Sequence, residues 1–242
     1  MIGYRLNNDY RACKTEWQEV TLGEYMQAMA GSMTAAICVL AGLKLEEFQQ
    51  ADEHSQHLLA ELIGGLLQTK PEAVKQEWMP ADLGATAIGQ LELCRQYLRL
   101  NEELPEQAFP FIYAVYRWPY DYNALLAISG AGFPQQLVDQ AKALPLPEVL
   151  GVVYHVLAEI ERIDKRYSPI LDKEPEAEQL LAGIEKFEKY GFYPTLLNYC
   201  DGDLTKAAEL LEIPAYVFYT ALCVDSEKSD YEKKYSEIIS GK

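Results

Sequence analysis

Apolar residues recur at helical spacing along most of this chain, and nowhere does an apolar–polar alternation run long enough to demand a sheet. That pattern implies an all-α fold, an irregular multi-helix bundle with a smaller C-terminal helical subdomain. The first helix has a defined start: Thr21-Leu-Gly-Glu24 fits a capping box, and Leu22, Tyr25, Met26 and Met29 follow at helical spacing until Gly31 and Ser32. Residues Tyr4 to Val20 precede it as a polar, extended or irregular lead.

Thr34 to Leu43 is apolar on all sides and suits a short central helix ended by Gly42, before Leu45 to Phe48 opens the next. Leu58 to Leu67 reads as helix despite Gly64 and Gly65, and Ala85 to Leu100 is amphipathic, its apolar face set against Gln90, Glu92, Arg95 and Arg99. The aromatic run Phe109 to Tyr122 is expected to be partly extended. Pro145 and Pro147 divide a short helix from a longer one ending near Ile163.

Asp164 to Ala177, polar and carrying two prolines, is the candidate linker. It divides the chain into a helical domain 1–172 and a helical subdomain 173–242. Within the second, Leu180, Leu181, Ile184 and Phe187 mark one helix, Thr195–Cys200 a short one, Leu204–Leu211 another and Ala215–Val224 a fourth. The charged end, from Asp225, is read as a solvated helix or frayed tail.

Hydrophobic residues make up 49% and charged residues 24%, so a formal net charge of -16 does not imply disorder. That charge does repel nucleic acid and anionic membranes, whose phosphates are bound largely through Lys and Arg. The longest apolar run, Met33 to Leu43, is far short of the roughly 20 residues a bilayer span needs, and the N-terminal MIGYRLNNDYRACK has no apolar signal core. Five cysteines without CxxC spacing read as buried hydrophobes in a reducing compartment. The expected location is the cytoplasm.

No catalytic constellation emerges: there is no GxSxG, Walker loop, dinucleotide fingerprint or HExxH. Asp201 to Glu212 has oxygen-bearing residues at calcium-loop spacing, but Lys206 stands where the loop needs Gly, and Asp203 reads instead as a helix N-cap. His54 and His57 share a helix face without a third ligand fixed by spacing, and His155 sits in an apolar stretch as a semi-buried residue. The expectation is therefore no catalytic residue, metal or cofactor. Aromatic residues remain as candidates for holding another protein, because Trp and Tyr combine an apolar body with a polar tip: Trp118, Tyr120, Tyr122, Tyr193, Tyr216 and Phe218.

Leu196 to Leu222 resembles the helix-turn-helix of bacterial nucleoid and enhancer-binding proteins, departing from it where Pro214–Val224 carries no Lys, Arg, Asn or Gln. A broader resemblance rests on WQEVTLGEYMQAM at 17–29, AAICVLAGLKLEEFQQAD after it, IYAVYRWPYDY in the middle, and YGFYPTLLNYCDGDLTKAAELL with EKKYSEI near the end. In these the chain is similar to the helical tail assembly chaperones of long-tailed bacteriophages and prophages. That resemblance implies a non-enzymatic protein of the infected bacterium's cytoplasm, which coats the tape measure protein and recruits tail-tube subunits. A structural virion component, such as a connector or tail-tip adaptor, and a helix-turn-helix regulator are the alternatives.

Overall fold

The computed structural model describes residues 2–6, 9–172, 175 and 177–240. The fold is all-α, with one small addition at the start. Strand β1 (Ile2–Leu6) pairs antiparallel with β2 (Asp9–Cys13), Ile2 opposite Cys13 and Leu6 opposite Asp9. This hairpin gives the extended form to the first part of the lead that was expected to be extended or irregular.

The helices are α1 (Leu22–Ala30), α2 (Met33–Ala41), α3 (Leu45–Gln49), α4 (Glu53–Leu67), α5 (Ile88–Leu100), α6 (Phe109–Arg117) and α7 (Ala124–Ile128). They continue as α8 (Gln135–Lys142), α9 (Leu146–Leu171), α10 (Ala177–Ala182), α11 (Tyr193–Tyr199), α12 (Leu204–Leu211) and α13 (Ala215–Ser240), with short 3-10 segments between some of them. The chain folds as two compact units, each assembled from separate stretches of sequence. Unit 1 takes residues up to Met79 with Asn101–Arg117 and Pro134–Tyr154; unit 2 takes Pro80–Leu100, Trp118–Phe133 and the residues from His155 onward. The second unit thus unites 177–240 with α5, α7 and the later turns of α9.

Unit 1 is organised by its caps and by one close backbone crossing. The Thr21 hydroxyl accepts from the Glu24 amide while the Glu24 carboxylate accepts from the Thr21 amide, the reciprocal pairing expected at α1. Ser32 caps α2 in the same sense, and Gly42 ends it. Leu22, Ile37, Leu40, Leu59, Ile63 and Ile112 lie in the interior. Near the start of α9 the segment around Val74 crosses the helix, its amide donating to the Pro147 carbonyl at 2.9 Å. A Cβ on Gly151 would stand 1.8 Å from the Val74 carbonyl oxygen, so only glycine admits this crossing.

The structure departs from the sequence expectation at two segments. The aromatic run is helical in α6, where Phe109, Tyr113 and Tyr116 are buried, because its apolar residues fall at helical spacing whatever their β propensity. The candidate linker is helical through Leu171: α9 continues past Ile163 and carries Pro169 in its last turn. There the missing proline N–H removes a single hydrogen bond near a helix end. Residues 173, 174 and 176 of that linker lie outside the described residues.

Unit 2 is built around α5. Ile88 and Leu91 pack with Ile163, Tyr167, Ala215, Phe218, Tyr219 and Cys223. The start of α5 is tied to the α12–α13 corner, with the Ile88 amide donating to the Ile213 carbonyl at 2.8 Å and Ala215 to Thr86 at 2.9 Å. Glu92, expected on a solvated face, is 8% exposed. The Tyr219 hydroxyl donates to its carboxylate; Arg95 donates to Glu92 at 3.2 Å, to the Tyr219 hydroxyl at 2.7 Å and to Asp164. Burial pushes the Glu92 carboxyl above its ordinary range, with Arg95 and the Tyr219 hydroxyl pulling it back.

Candidate functional site

The six aromatic residues singled out in sequence all belong to unit 2, in five different settings. Tyr120 is 96% exposed. Trp118 and Tyr122 are half-buried, Tyr122 with its ring centroid 4.7 Å from that of Phe133, and burial raises its hydroxyl pKa. Tyr216 is half-buried beside two guanidinium groups, Arg162 at 5.6 Å and Arg166 at 5.1 Å from its ring centroid. Its hydroxyl meets no partner in hydrogen-bond geometry, although burial, then nearby Asp82, raises its pKa while Arg162 opposes the shift.

Phe218 is a correction. At 1% exposure it lies in the core, its ring 5.3 Å from those of Phe192 and Tyr199, and it offers nothing to a guest. The sixth, Tyr193, opens α11 and forms part of a cavity wall. That cavity, of about 630 Å³, is lined by Gln96, Arg99 and Leu100 of α5, Ile128 to Gly130 at the end of α7, and Lys189, Tyr190 and Tyr193. A smaller one of about 210 Å³ shares Gln96, Arg99, Ile128 and Tyr190 and reaches Glu92 and Arg95.

The Arg99 side chain is seated by a glycine. Gly191 has φ of 56°, and a Cβ there would meet a guanidinium nitrogen of Arg99 at 2.1 Å. Lys189 places its ammonium 4.9 Å from the Tyr190 ring centroid. The larger cavity therefore presents two cations and two tyrosines in a strongly acidic chain. That chemistry suits a carboxylate beside an apolar or aromatic body. No histidine, cysteine or carboxylate pair lines either cavity among the described residues.

Large apolar side chains are also exposed elsewhere in unit 2. Leu180, Leu181, Ile184 and Phe187 were expected to form one helix, but α10 stops at Ala182 and a 3-10 segment, Ile184–Tyr190, follows. These four and Tyr190 are exposed, Leu181 by 88%. On α13 the contrast is clearer still. Its first half buries Ala215, Phe218, Tyr219 and Cys223, whereas every residue from Glu227 to Ser240 is exposed.

One exposed face of α13 carries an apolar stripe, interrupted by Lys228. Val217, Val224, Tyr231, Tyr235, Ile238 and Ile239 are all exposed. At about 100° per residue they fall within an arc of about 100°, opposite the buried face. Tyr231 and Tyr235 stack with ring centroids 5.8 Å apart. In the sequence this stripe is diluted among charges, and its one signal is the recurrence of 217, 224, 231 and 238 every seven residues.

The remaining sequence candidates fall into ordinary roles. Asp203 caps α12, accepting from the Thr205 amide at 3.0 Å, and the calcium-loop window is helix. His54 and His57 are exposed on α4, and no group of three metal-ligating residues occurs among the described residues. The His155 Nε2 donates to the Pro80 carbonyl at 2.8 Å. In the helix-turn-helix-like segment the exposed residues of α13's first turns, Val217, Thr220, Ala221 and Val224, include no cation to meet a phosphate.

The five cysteines are free and buried, and no described helix is long and apolar enough to cross a membrane. No family model, curated protein or solved structure matches this chain.

Proposed function

We propose that this chain is a non-enzymatic assembly chaperone that holds helical segments of another protein, as its resemblance to phage tail assembly chaperones implies. The guest in that case is a tape measure protein, with tail-tube subunits recruited afterwards, in the cytoplasm of the infected bacterium. One observation carries the reading: α13 extends well past its last buried residue and bears an apolar stripe along an exposed face. An amphipathic helix laid against that stripe would cover apolar surface on both partners. The acidic coat keeps such a surface from driving aggregation of the chaperone itself.

Co-expression with the tape measure protein of the genome that encodes this chain tests the reading. The expected result is a soluble tape measure protein that co-elutes with the chain, and purified particles from which the chain is absent. A tape measure protein left in aggregates with no complex recovered contradicts it. Recovery of the chain in stoichiometric amounts from finished particles would assign it to the virion instead.

A further inference from the structure

The exposed stripe on α13 obeys a stricter rule than amphipathicity. Val217, Ala221, Val224, Lys228, Tyr231, Tyr235 and Ile238 are exposed and follow one another at alternating steps of four and three residues. This is the a/d spacing of a coiled coil, sustained over about 32 Å of helix. Lys228 is the single charged position in the seam, 3.8 Å from Glu232 on its own helix, and one such residue fixes the register of pairing.

The charges beside the seam say what fits it. Asp225 and Glu232 occupy e positions, and Glu227 and Lys234 occupy g positions, three acidic groups against one basic. Two copies paired in parallel would set Glu227 against Glu232 on both sides. Paired antiparallel with Lys228 opposite Tyr231, they would set Asp225 against Glu232, offsetting the Glu227–Lys234 attraction. A second copy is therefore a poor occupant, and a helix with basic flanks is a good one.

Resting on the guest-holding reading, we infer that α13 captures its guest as one strand of a coiled coil, a helix with apolar residues at a and d and Lys or Arg at e and g. The seam from Val224 to Ile238 supplies the contact, and the acidic flanks select the partner's charge. Two synthetic peptides of about four heptads, with one apolar seam but Lys in one and Glu in the other at every e and g position, test this against the full chain.

Fluorescence anisotropy is expected to show the Lys-flanked peptide binding at least ~10-fold more tightly, with a gap that narrows in high salt. The double substitution Tyr235→Asp with Ile238→Asp is expected to abolish binding and leave thermal melting unchanged, since both side chains are exposed. Equal affinity for the two peptides, or full binding by the doubly substituted chain, overturns the inference. So does self-association of the chain alone that the same substitutions remove, which would give the seam to a second copy. If the doubly substituted chain still solubilises the tape measure protein, this inference falls and the chaperone reading stands; if the peptide result holds but no tape measure protein is held, the reverse is true.

Discussion

The two halves of α13 are one continuous helix with opposite fates. From Ala215 to Cys223 it presents Phe218 and Tyr219 to a packed interior, and from Glu227 to Ser240 it presents Tyr231, Tyr235 and Ile238 to solvent. Both halves carry large apolar side chains, so hydrophobicity alone does not separate them. What separates them is whether α5 and the α9 segment Ile163–Tyr167 pack against the helix. An apolar side chain is a stability element where neighbours cover it and a recognition element where none do.

The largest effect expected from this contrast is at Phe218. Phe218→Ala removes a ring enclosed by Phe192, Tyr199 and Tyr219 and should cost about 3–5 kcal/mol in urea unfolding. Tyr219→Phe probes the same half more gently, leaving Glu92 short of a donor and Arg95 short of an acceptor, at about 1–3 kcal/mol. Gly191→Ala, which forces a side chain into a left-handed conformation beside Arg99, should cost about 1–2 kcal/mol. At the far end, Ile238→Ala or Tyr231→Ala should change stability by no more than about 0.5 kcal/mol. A large loss from Ile238→Ala would erase the distinction between the halves.

A pH titration sharpens the contrast from its buried side. Because burial holds the Glu92 carboxyl above its ordinary range, the folded chain keeps a proton that the unfolded chain releases at about pH 4.3. The contribution is fully present below that pH and is lost as pH rises through the folded-state value. Glu92→Gln should therefore remove a decline of stability with rising pH, read by urea midpoints across the series. A wild-type curve that rises over the same interval relative to Glu92→Gln would reverse the assignment.

Much of the fold was legible because local chemistry announced it. The Thr21–Glu24 capping box, the Asp203 N-cap and the Pro145–Pro147 break each mark an element boundary that the structure keeps. Two kinds of feature were not legible. Pro169 and its polar neighbours argued for a linker, and only the packing of Ile163 and Tyr167 on α13 shows why the helix persists. Exposure was the other: nothing local distinguishes Phe218 from Tyr120, because the partner that buries the first comes from residues remote in sequence. The polar face of α5 misled for the same reason, since Glu92 and Arg95 are answered by Tyr219 and Asp164.

Guest capture by α13 requires its distal half to be an uncovered surface that a guest helix fills. Hydrogen exchange read by mass spectrometry, on the full chain at low concentration with and without the Lys-flanked peptide, tests that most directly. Amides of 227–240 should exchange much faster than those of 215–223 in the free chain and slow markedly when the peptide is added. Equal protection of both halves in the free chain, or no slowing of 227–240 on addition of saturating peptide, would contradict it.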